Sequence, residues 1–499
     1  MKFNGKTIAI LIAFLVVPFL AQAARFQRFD FKVRGEITDV ITEDLNNDGL
    51  REAIVIHIDK SVNPPRRLLT IYYQDRKTGF DKNRKVEWVF PREVAVMGLG
   101  DVRPDPGKEL VFITERGVSY ATVLNGKVSE LKEILKVQSV VAIPYERDVP
   151  YYNFVRDYTG DGKDDILVCG FYEALFARQG PNYAFTTSKL HLRPSMEIDA
   201  FAFSGMLGGQ EHPMFRVAYY VPQIYSEDYN ADGLRDLIVS FRHEVLIFAQ
   251  NKSGFTADPV KRYRIRLLPE NPSRRRSAPN FFFRDLDGDR RADILVNETF
   301  GDLNNMRSRT ALFYGKSSNI EKGVPDVEFK TRYPAMGVYV QDVNKDGLPD
   351  IIIPTIDFGA WTAGKALITG DINVEWNYFL QNANRRFSPS PTRTLVTTLK
   401  FNVSKFRLES GIPNIFADFN GDGFPDQALG DGKQALVITL RDGQGKALPI
   451  VERITIPVSI SMQFYDLNKD GRADLLIYYR DQSDMAGDFH IFLNRGPWK

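Results

Sequence analysis

At 499 residues, with 43% hydrophobic and 26% charged residues and 36 phenylalanines, the chain is built to bury a large core, which excludes a disordered or collagen-like protein. The formal charge is +2, and beyond residue 23 there are 63 basic and 63 acidic side chains, so no basic excess points to a nucleic-acid partner. A single cysteine, Cys169, excludes any disulfide within the chain.

Residues 1–23 open with Lys2 and Lys6, run apolar from Ile8 to Leu20 and finish in Ala21-Gln22-Ala23, a small-x-small cleavage pattern. This reads as an export signal, because the run is shorter than the roughly 20 residues that span a bilayer. No later segment approaches that length. Residues 24–499 are therefore expected to form one exported domain, periplasmic or secreted. Cys169 lies in the run Ile166-Leu167-Val168-Cys169, as a small buried hydrophobe. Something other than a disulfide must staple such a fold.

From Asp44 onward a nine-residue pattern occurs eight times, with an acid at position 1, Asp at 5, an acid at 9 and, in all but one copy, an oxygen-bearing residue at 3. The copies start at Asp44 (DLNNDGLRE), Asp101 (DVRPDPGKE), Asp157 (DYTGDGKDD), Asp228 (DYNADGLRD), Asp285 (DLDGDRRAD), Asp342 (DVNKDGLPD), Asp418 (DFNGDGFPD) and Asp466 (DLNKDGRAD). They are separated by 57, 56, 71, 57, 57, 76 and 48 residues.

Each copy follows a short aromatic or β-branched stretch, such as Phe281-Phe282-Phe283, Val338-Tyr339-Val340 or Asn414-Ile415-Phe416. Most precede another, such as Ala53-Ile54-Val55-Ile56 or Ile351-Ile352-Ile353. Short apolar runs bounded by turn residues read as strands, so each loop joins two antiparallel strands. Two more strands follow, for instance Val245 to Phe248 and Lys261 to Ile265 around a turn at Ser253-Gly254. Four strands per repeat make one blade of an all-β propeller. Eight loops predict eight blades, with seven as the alternative. The last repeat ends after its third strand, Phe489 to Leu493, and Phe26 to Val33 has the pattern of the missing one. The N-terminal strand is therefore predicted to close the ring as the last blade's outer strand, removing the edges of an open array.

Calcium takes 6–8 oxygen ligands in flexible geometry. Acids or amides at 1, 3 and 5, a carbonyl near 7 and a carboxylate at 9 can wrap it, while Gly at 6 permits the turn. An EF-hand would need its Glu at position 12 between helices. The loops resemble the FG-GAP or VCBS repeats of integrin α-subunit-like propellers, whose signature D-x-[DN]-x-D-G-x-x-D stands nearly verbatim at Asp228, Asp342, Asp418 and Asp466.

That resemblance implies about seven calcium sites. Their ligands would be Asp44, Asn46, Asp48 and Glu52; Asp157, Thr159, Asp161 and Asp165; Asp228, Asn230, Asp232 and Asp236; and Asp285, Asp287, Asp289 and Asp293. The remaining three sets would be Asp342, Asn344, Asp346 and Asp350; Asp418, Asn420, Asp422 and Asp426; and Asp466, Asn468, Asp470 and Asp474. Glu52 replaces Asp at position 9, and in the Asp285 copy the glycine is Gly288, with Arg290 at position 6. In the Asp101 copy Arg103 stands at a ligand position and Pro106 replaces the glycine, so this loop is expected to be metal-free, with Arg103 bridging Asp101 and Asp105.

If these loops join first to second strands, second-to-third loops and blade crossings lie on the opposite face. The two long intervals place insertions there, between Asp357 and Asn373 and near Phe201 to Phe215. Arg66, Arg67, Arg274, Arg275, Arg276, Arg307, Arg309 and Trp361 are expected on that face as ligand-contacting side chains. The five histidines, His57, His191, His212, His243 and His490, show no metal or triad spacing, and no phosphate loop or nucleophile elbow stands out. Two classes remain: a non-catalytic module that binds an extracellular or periplasmic protein or glycan, and a polysaccharide lyase-like enzyme on a calcium-containing propeller, with arginine neutralising a uronate. The first is favoured because the sequence names no general base. Oligomeric state is not legible.

Overall fold

Where the apolar runs sit explains why the chain forms blades. Second strands of blades are buried along their whole length, as in Glu52–Asp59, Glu109–Thr114, Asp165–Cys169 and Asp474–Tyr478. Both of their faces are covered, so an unbroken apolar run suits them: Ala53 and Val55 pack toward one neighbouring blade while Ile54 and Ile56 pack toward the other. Outer strands have one side in water and alternate, as in Arg393–Asn402 and Ala447–Thr455.

The computed structural model describes residues 25–498 apart from 125, 142–147, 204–211, 253, 268–278, 302–305, 358–363, 365–367, 403, 405–406 and 481. Its strands form eight antiparallel blades. Blade 1 is Glu36–Glu43, Glu52–Asp59, Arg66–Asp75 and Gly79–Val89; blade 2 is Val94–Gly100, Glu109–Thr114, Gly117–Ala121 and Lys132–Lys136. Blade 3 is Val155–Arg156, Asp165–Cys169, Ala174–Gln179 and Phe185–Leu190; blade 4 is Gln223–Glu227, Asp236–Phe241, Glu244–Phe248 and Lys261–Arg264. Blade 5 is Asn280–Arg284, Asp293–Phe300, Arg307–Phe313 and Val327–Phe329; blade 6 is Tyr339–Gln341, Asp350–Ile356, Asp371–Phe379 and Arg393–Asn402, with Arg407–Leu408 added at its edge. Blade 7 has Gln427–Gly430, Ala435–Arg441 and Ala447–Thr455, and blade 8 has Ser461–Tyr465, Asp474–Tyr478 and Asp488–Asn494. Eight apolar clusters fill the eight interfaces between neighbouring blades.

Phe26–Lys32 completes blade 8 as its outer strand, in register from Phe26 opposite Asn494 to Lys32 opposite Asp488. The closure expected from sequence is present. Phe31 stacks on Phe489 with ring centroids 4.7 Å apart, and Phe26 meets Trp498 edge-on at 5.8 Å. Blade 8 joins blade 1 through Gln463 Nε2, which donates to Val40 O at 2.9 Å.

Blade 7 departs from the expected pattern. The stretch Asn414-Ile415-Phe416 is reduced to a single bridge between Asn414 and Ala428. Pro413 offers no backbone N–H, and Asn414 Oδ1 accepts from the N–H groups of Phe416 (3.0 Å) and Ala417 (2.9 Å), so the side chain takes donors a ladder would use. The insertion near Phe201 to Phe215 is a two-stranded ribbon, Ser195–Phe203 against His212–Tyr220, between blades 3 and 4. Cys169 is buried and free. No helix among the described residues is long and apolar enough to cross a membrane. Residues 1–23, read above as an export signal, lie outside the described residues.

Candidate metal centres

All eight acidic loops join first to second strands, or in blade 7 the bridge to the second-strand position, and therefore share one face. Backbone N–H groups hold their side chains inward. Asp228 accepts from Ala231 N–H on Oδ1 (2.7 Å) and from Gly233 N–H on Oδ2 (2.8 Å), Asn230 from Asp232 N–H (2.8 Å), and Asp232 from Leu234 N–H (2.9 Å). The same wrapping recurs around Asp44, Asp342, Asp418 and Asp466. The turn needs a left-handed residue at position 6, which Gly233 supplies with φ +86°, whereas Arg290 adopts φ +70° at a cost a glycine would not carry.

Position 9 sits deeper. Glu52, Asp165, Asp236, Asp293, Asp350, Asp426 and Asp474 are all fully buried. One carboxylate oxygen accepts from the N–H of position 2, as in Leu286 to Asp293 (2.8 Å) and Phe419 to Asp426 (2.9 Å). In the six aspartates the other oxygen accepts from the end of the third strand, as in Gln179 to Asp165 (2.9 Å), Gln381 to Asp350 (2.9 Å) and Asn494 to Asp474 (2.7 Å). Burial pushes these acids up against the pull of the two amides, Glu52 to about 8, Asp293, Asp426 and Asp474 to about 7, and Asp165 and Asp350 to about 6.

The donor set suits a hard cation. One oxygen each of Asp285, Asp287 and Asp289 lie within 4.8 Å of one another. Asp289 Oδ2, Asp342 Oδ1 and Glu52 Oε1 are buried without a hydrogen-bond partner, an arrangement that costs free energy unless a cation meets them. Basic side chains also reach these carboxylates: Arg386 to Asp287 (2.7 Å), Arg178 to Asp161 (3.1 Å), Arg472 to Asp470 (2.9 Å) and Lys469 to Asp44 (3.5 Å). Thr159 donates its hydroxyl to Asp165 at 3.1 Å.

The sequence matches the FG-GAP-like repeat over residues 285–353 and 418–477, spans that run from the Asp285 loop through the Asp342 loop and from the Asp418 loop through the Asp466 loop. The chain is an eight-bladed propeller that carries FG-GAP-like repeats over these two spans. No curated protein matches it significantly. Among solved structures it is similar to a lectin of Agrocybe aegerita that recognises non-reducing terminal N-acetylglucosamine, at 15% identity and TM-score 0.41, over 85% of this chain and 91% of that one. It is also similar to a Bacteroides fragilis protein assigned as a 6-phosphogluconolactonase (11% identity, TM-score 0.32, 85% and 96% covered) and to the V. cholerae biofilm matrix protein Bap1 (12%, 0.28, 94% and 89%).

The Asp101 loop corrects one expectation. Arg103 lies over the ring of Tyr120, 5.4 Å from its centroid, instead of bridging Asp101 and Asp105. Asp164 from blade 3 takes over part of the stapling by accepting from Asp101 N–H at 2.8 Å. Asp101 is pushed up by burial and by the Asp164 carboxylate.

Sequence reasoning missed a latch between blades. A carboxamide at the end of a third strand donates to a loop carbonyl of the preceding blade: Gln179 to Asp101 O and Gln381 to Leu286 O at 2.7 Å, Asn494 to Phe419 O at 2.7 Å, and Gln74 to Leu467 O at 3.1 Å. Each latch residue is buried.

On the opposite face, Arg66 and Arg307 are exposed as expected. Arg67 is not. It is 6% exposed and donates to Val94 O (2.7 Å), Pro91 O (2.9 Å) and Arg92 O (3.0 Å), because successive side chains of a strand point to opposite sides and Arg67 takes the inward one, clamping blade 1 to blade 2. Arg309 forms a two-point ion pair with Glu328 at 2.8 and 2.6 Å. Arg274, Arg275, Arg276 and Trp361 lie outside the described residues.

Proposed function

We propose that this FG-GAP propeller is an exported, calcium-stapled, non-catalytic module that binds a protein or glycan ligand on the face opposite its acidic loops. The observation that carries the calcium reading is the group of inward-turned oxygens with buried, unpartnered carboxylate atoms at Asp289 and Asp342. Positions 1, 3, 5 and 9 of the seven loops other than Asp101 would hold the ions, with the acid at 9 also bracing each loop from below. Bound calcium supplies charge neutralisation and rigidity there. The acidic face is thereby committed to structure, and the ribbon and second-to-third strand loops are free to recognise a ligand.

The histidines whose side chains are described support binding over catalysis. His57 is buried between Arg34 O (2.7 Å) and Thr70 Oγ1 (2.8 Å), and His490 pairs across strands with Asp30 (2.6 Å). His191 bonds Asp258 (2.8 Å) and His243 bonds Ile265 O (3.2 Å). Screening the purified chain on a glycan array, with calcium and after chelation, tests the reading. Saturable binding that weakens on chelation and leaves the glycan intact is expected. Release of unsaturated uronate products would show lyase chemistry instead.

A further inference from the structure

The ribbon between blades 3 and 4 has two unlike faces. Side chains alternate along it, so Met196, Ile198, Val217 and Tyr219 share one face, and all four are exposed. Phe171 meets Tyr219 edge-on at 5.3 Å and props that face against blade 3. Ser195, Glu197 and Tyr220 belong to the other face, which looks across a recess of about 480 Å³ toward Phe241 and Arg242 of blade 4 and Asn280 of blade 5. The recess lies on the face opposite the acidic loops, because Phe241–Glu244 is the second-to-third strand turn of its blade.

Three polar groups converge on its wall. Tyr220 Oη donates to Glu197 Oε2 at 3.1 Å, and Arg242 Nη2 donates to Glu197 Oε1. Arg242 holds φ +50°, a left-handed conformation that a non-glycine residue rarely adopts, and the tight turn it forms carries the guanidinium to the ribbon. The Tyr220 side chain is half exposed, at 48%.

We infer that this recess is a saccharide subsite that takes a neutral hexopyranose residue of a polysaccharide. The inference rests on the binding-module reading and gives it a location and a ligand class. Three features fit a sugar. A carboxylate beside a guanidinium offers acceptor and donor side by side, which is what a pair of neighbouring hydroxyls needs. An exposed aromatic ring offers an apolar face with a polar tip, matching the apolar face and hydroxyl rim of a pyranose. The volume is in the range of small-ligand sites, and the wall combines apolar Val221, Phe241 and Phe281 with polar Gln223, Ser240 and Asn280. Neutrality follows from the pair itself: among the described lining residues only Glu197 and Arg242 are charged, and they cancel, so these residues hold no excess charge for a uronate.

The test is titration of the full mature chain, calcium present, with neutral hexose oligosaccharides and with uronate oligosaccharides of equal length. Neutral oligosaccharides should bind, and Tyr220→Ala and Glu197→Gln should each weaken binding by about tenfold or more, the scale for removing one partner of a satisfied polar contact. Tyr220→Phe should keep part of the affinity, because the ring remains. All three variants should melt at the temperature of the parent chain, since the positions are exposed and far from the acidic loops. Unchanged affinity in Tyr220→Ala and Glu197→Gln would overturn the site while leaving glycan binding by the module intact. A preference for uronates would overturn the neutral-sugar assignment. Binding of no saccharide would refute the glycan reading itself.

Discussion

Removing calcium is expected to lower the melting temperature of this propeller by about ten degrees or more. Seven loops bring 22 carboxylates to positions 1, 3, 5 and 9, where they repel one another until a cation enters. Each site adds RT ln(1 + [L]/Kd), so calcium at ten times Kd gives about 1.4 kcal/mol per site and about 10 kcal/mol for seven independent sites. Unfolding entropy of about 2.1 cal/mol/K per residue gives about 1 kcal/mol/K for a chain of this length, which converts 10 kcal/mol into about ten degrees. Guanidinium contacts such as Arg386 to Asp287 and Arg178 to Asp161 soften the repulsion in the apo loops, but these partly exposed pairs are worth little beside a divalent ion. Differential scanning calorimetry before and after chelation, with metal removal confirmed by elemental analysis, checks this. An unchanged melting temperature would mean that hydrogen bonds within the loops suffice.

Deleting residues 25–33 is expected to cost the chain its soluble fold. The strand Phe26–Lys32 supplies the whole outer edge of blade 8, and its loss bares the backbone of Asp488–Asn494. It also removes Phe31, whose ring packs against Phe489 at 4.7 Å and Tyr72 at 4.6 Å, and Phe26, which packs against Phe419 and Trp498. Truncating one buried aromatic costs about 3–5 kcal/mol, so losing two approaches the whole net stability of a domain, about 5–15 kcal/mol. An open strand edge next to exposed apolar surface also favours aggregation. The truncated chain should enter inclusion bodies or elute as aggregate, and a peptide spanning residues 25–33 added during refolding should restore monomer. A truncated chain that melts within a few degrees of the parent would show that closure is dispensable.

The propeller was legible because its loops impose fixed local spacing: an ion-wrapping turn needs oxygens at 1, 3 and 5, and flanking strands must be apolar on both sides. The N-terminal closure was legible for the same reason, since the last repeat lacked a strand that Phe26 to Val33 could supply. What escaped notice depends on partners at no fixed distance. The acid at position 9 reaches Gln179 across 14 residues in blade 3 but Gln381 across 31 in blade 6, so no spacing rule reveals the brace. Arg67 read as a surface charge because strand register decides which of two adjacent arginines turns inward. The weak first strand of blade 7 follows from Pro413 and the capping side chain of Asn414, both visible in sequence but outweighed there by the apolar residues around them. The ribbon recess was hidden because Glu197 and Arg242 stand 45 residues apart and meet only across the crossing between blades.

Calcium titration of chelator-treated protein by isothermal calorimetry tests the central claim most directly. The account expects binding in the range of roughly 10⁻⁴–10⁻³ M or tighter, as for extracellular calcium modules, approaching about seven ions per chain with the Asp101 loop contributing none. No heat and no bound calcium at millimolar concentration would contradict it.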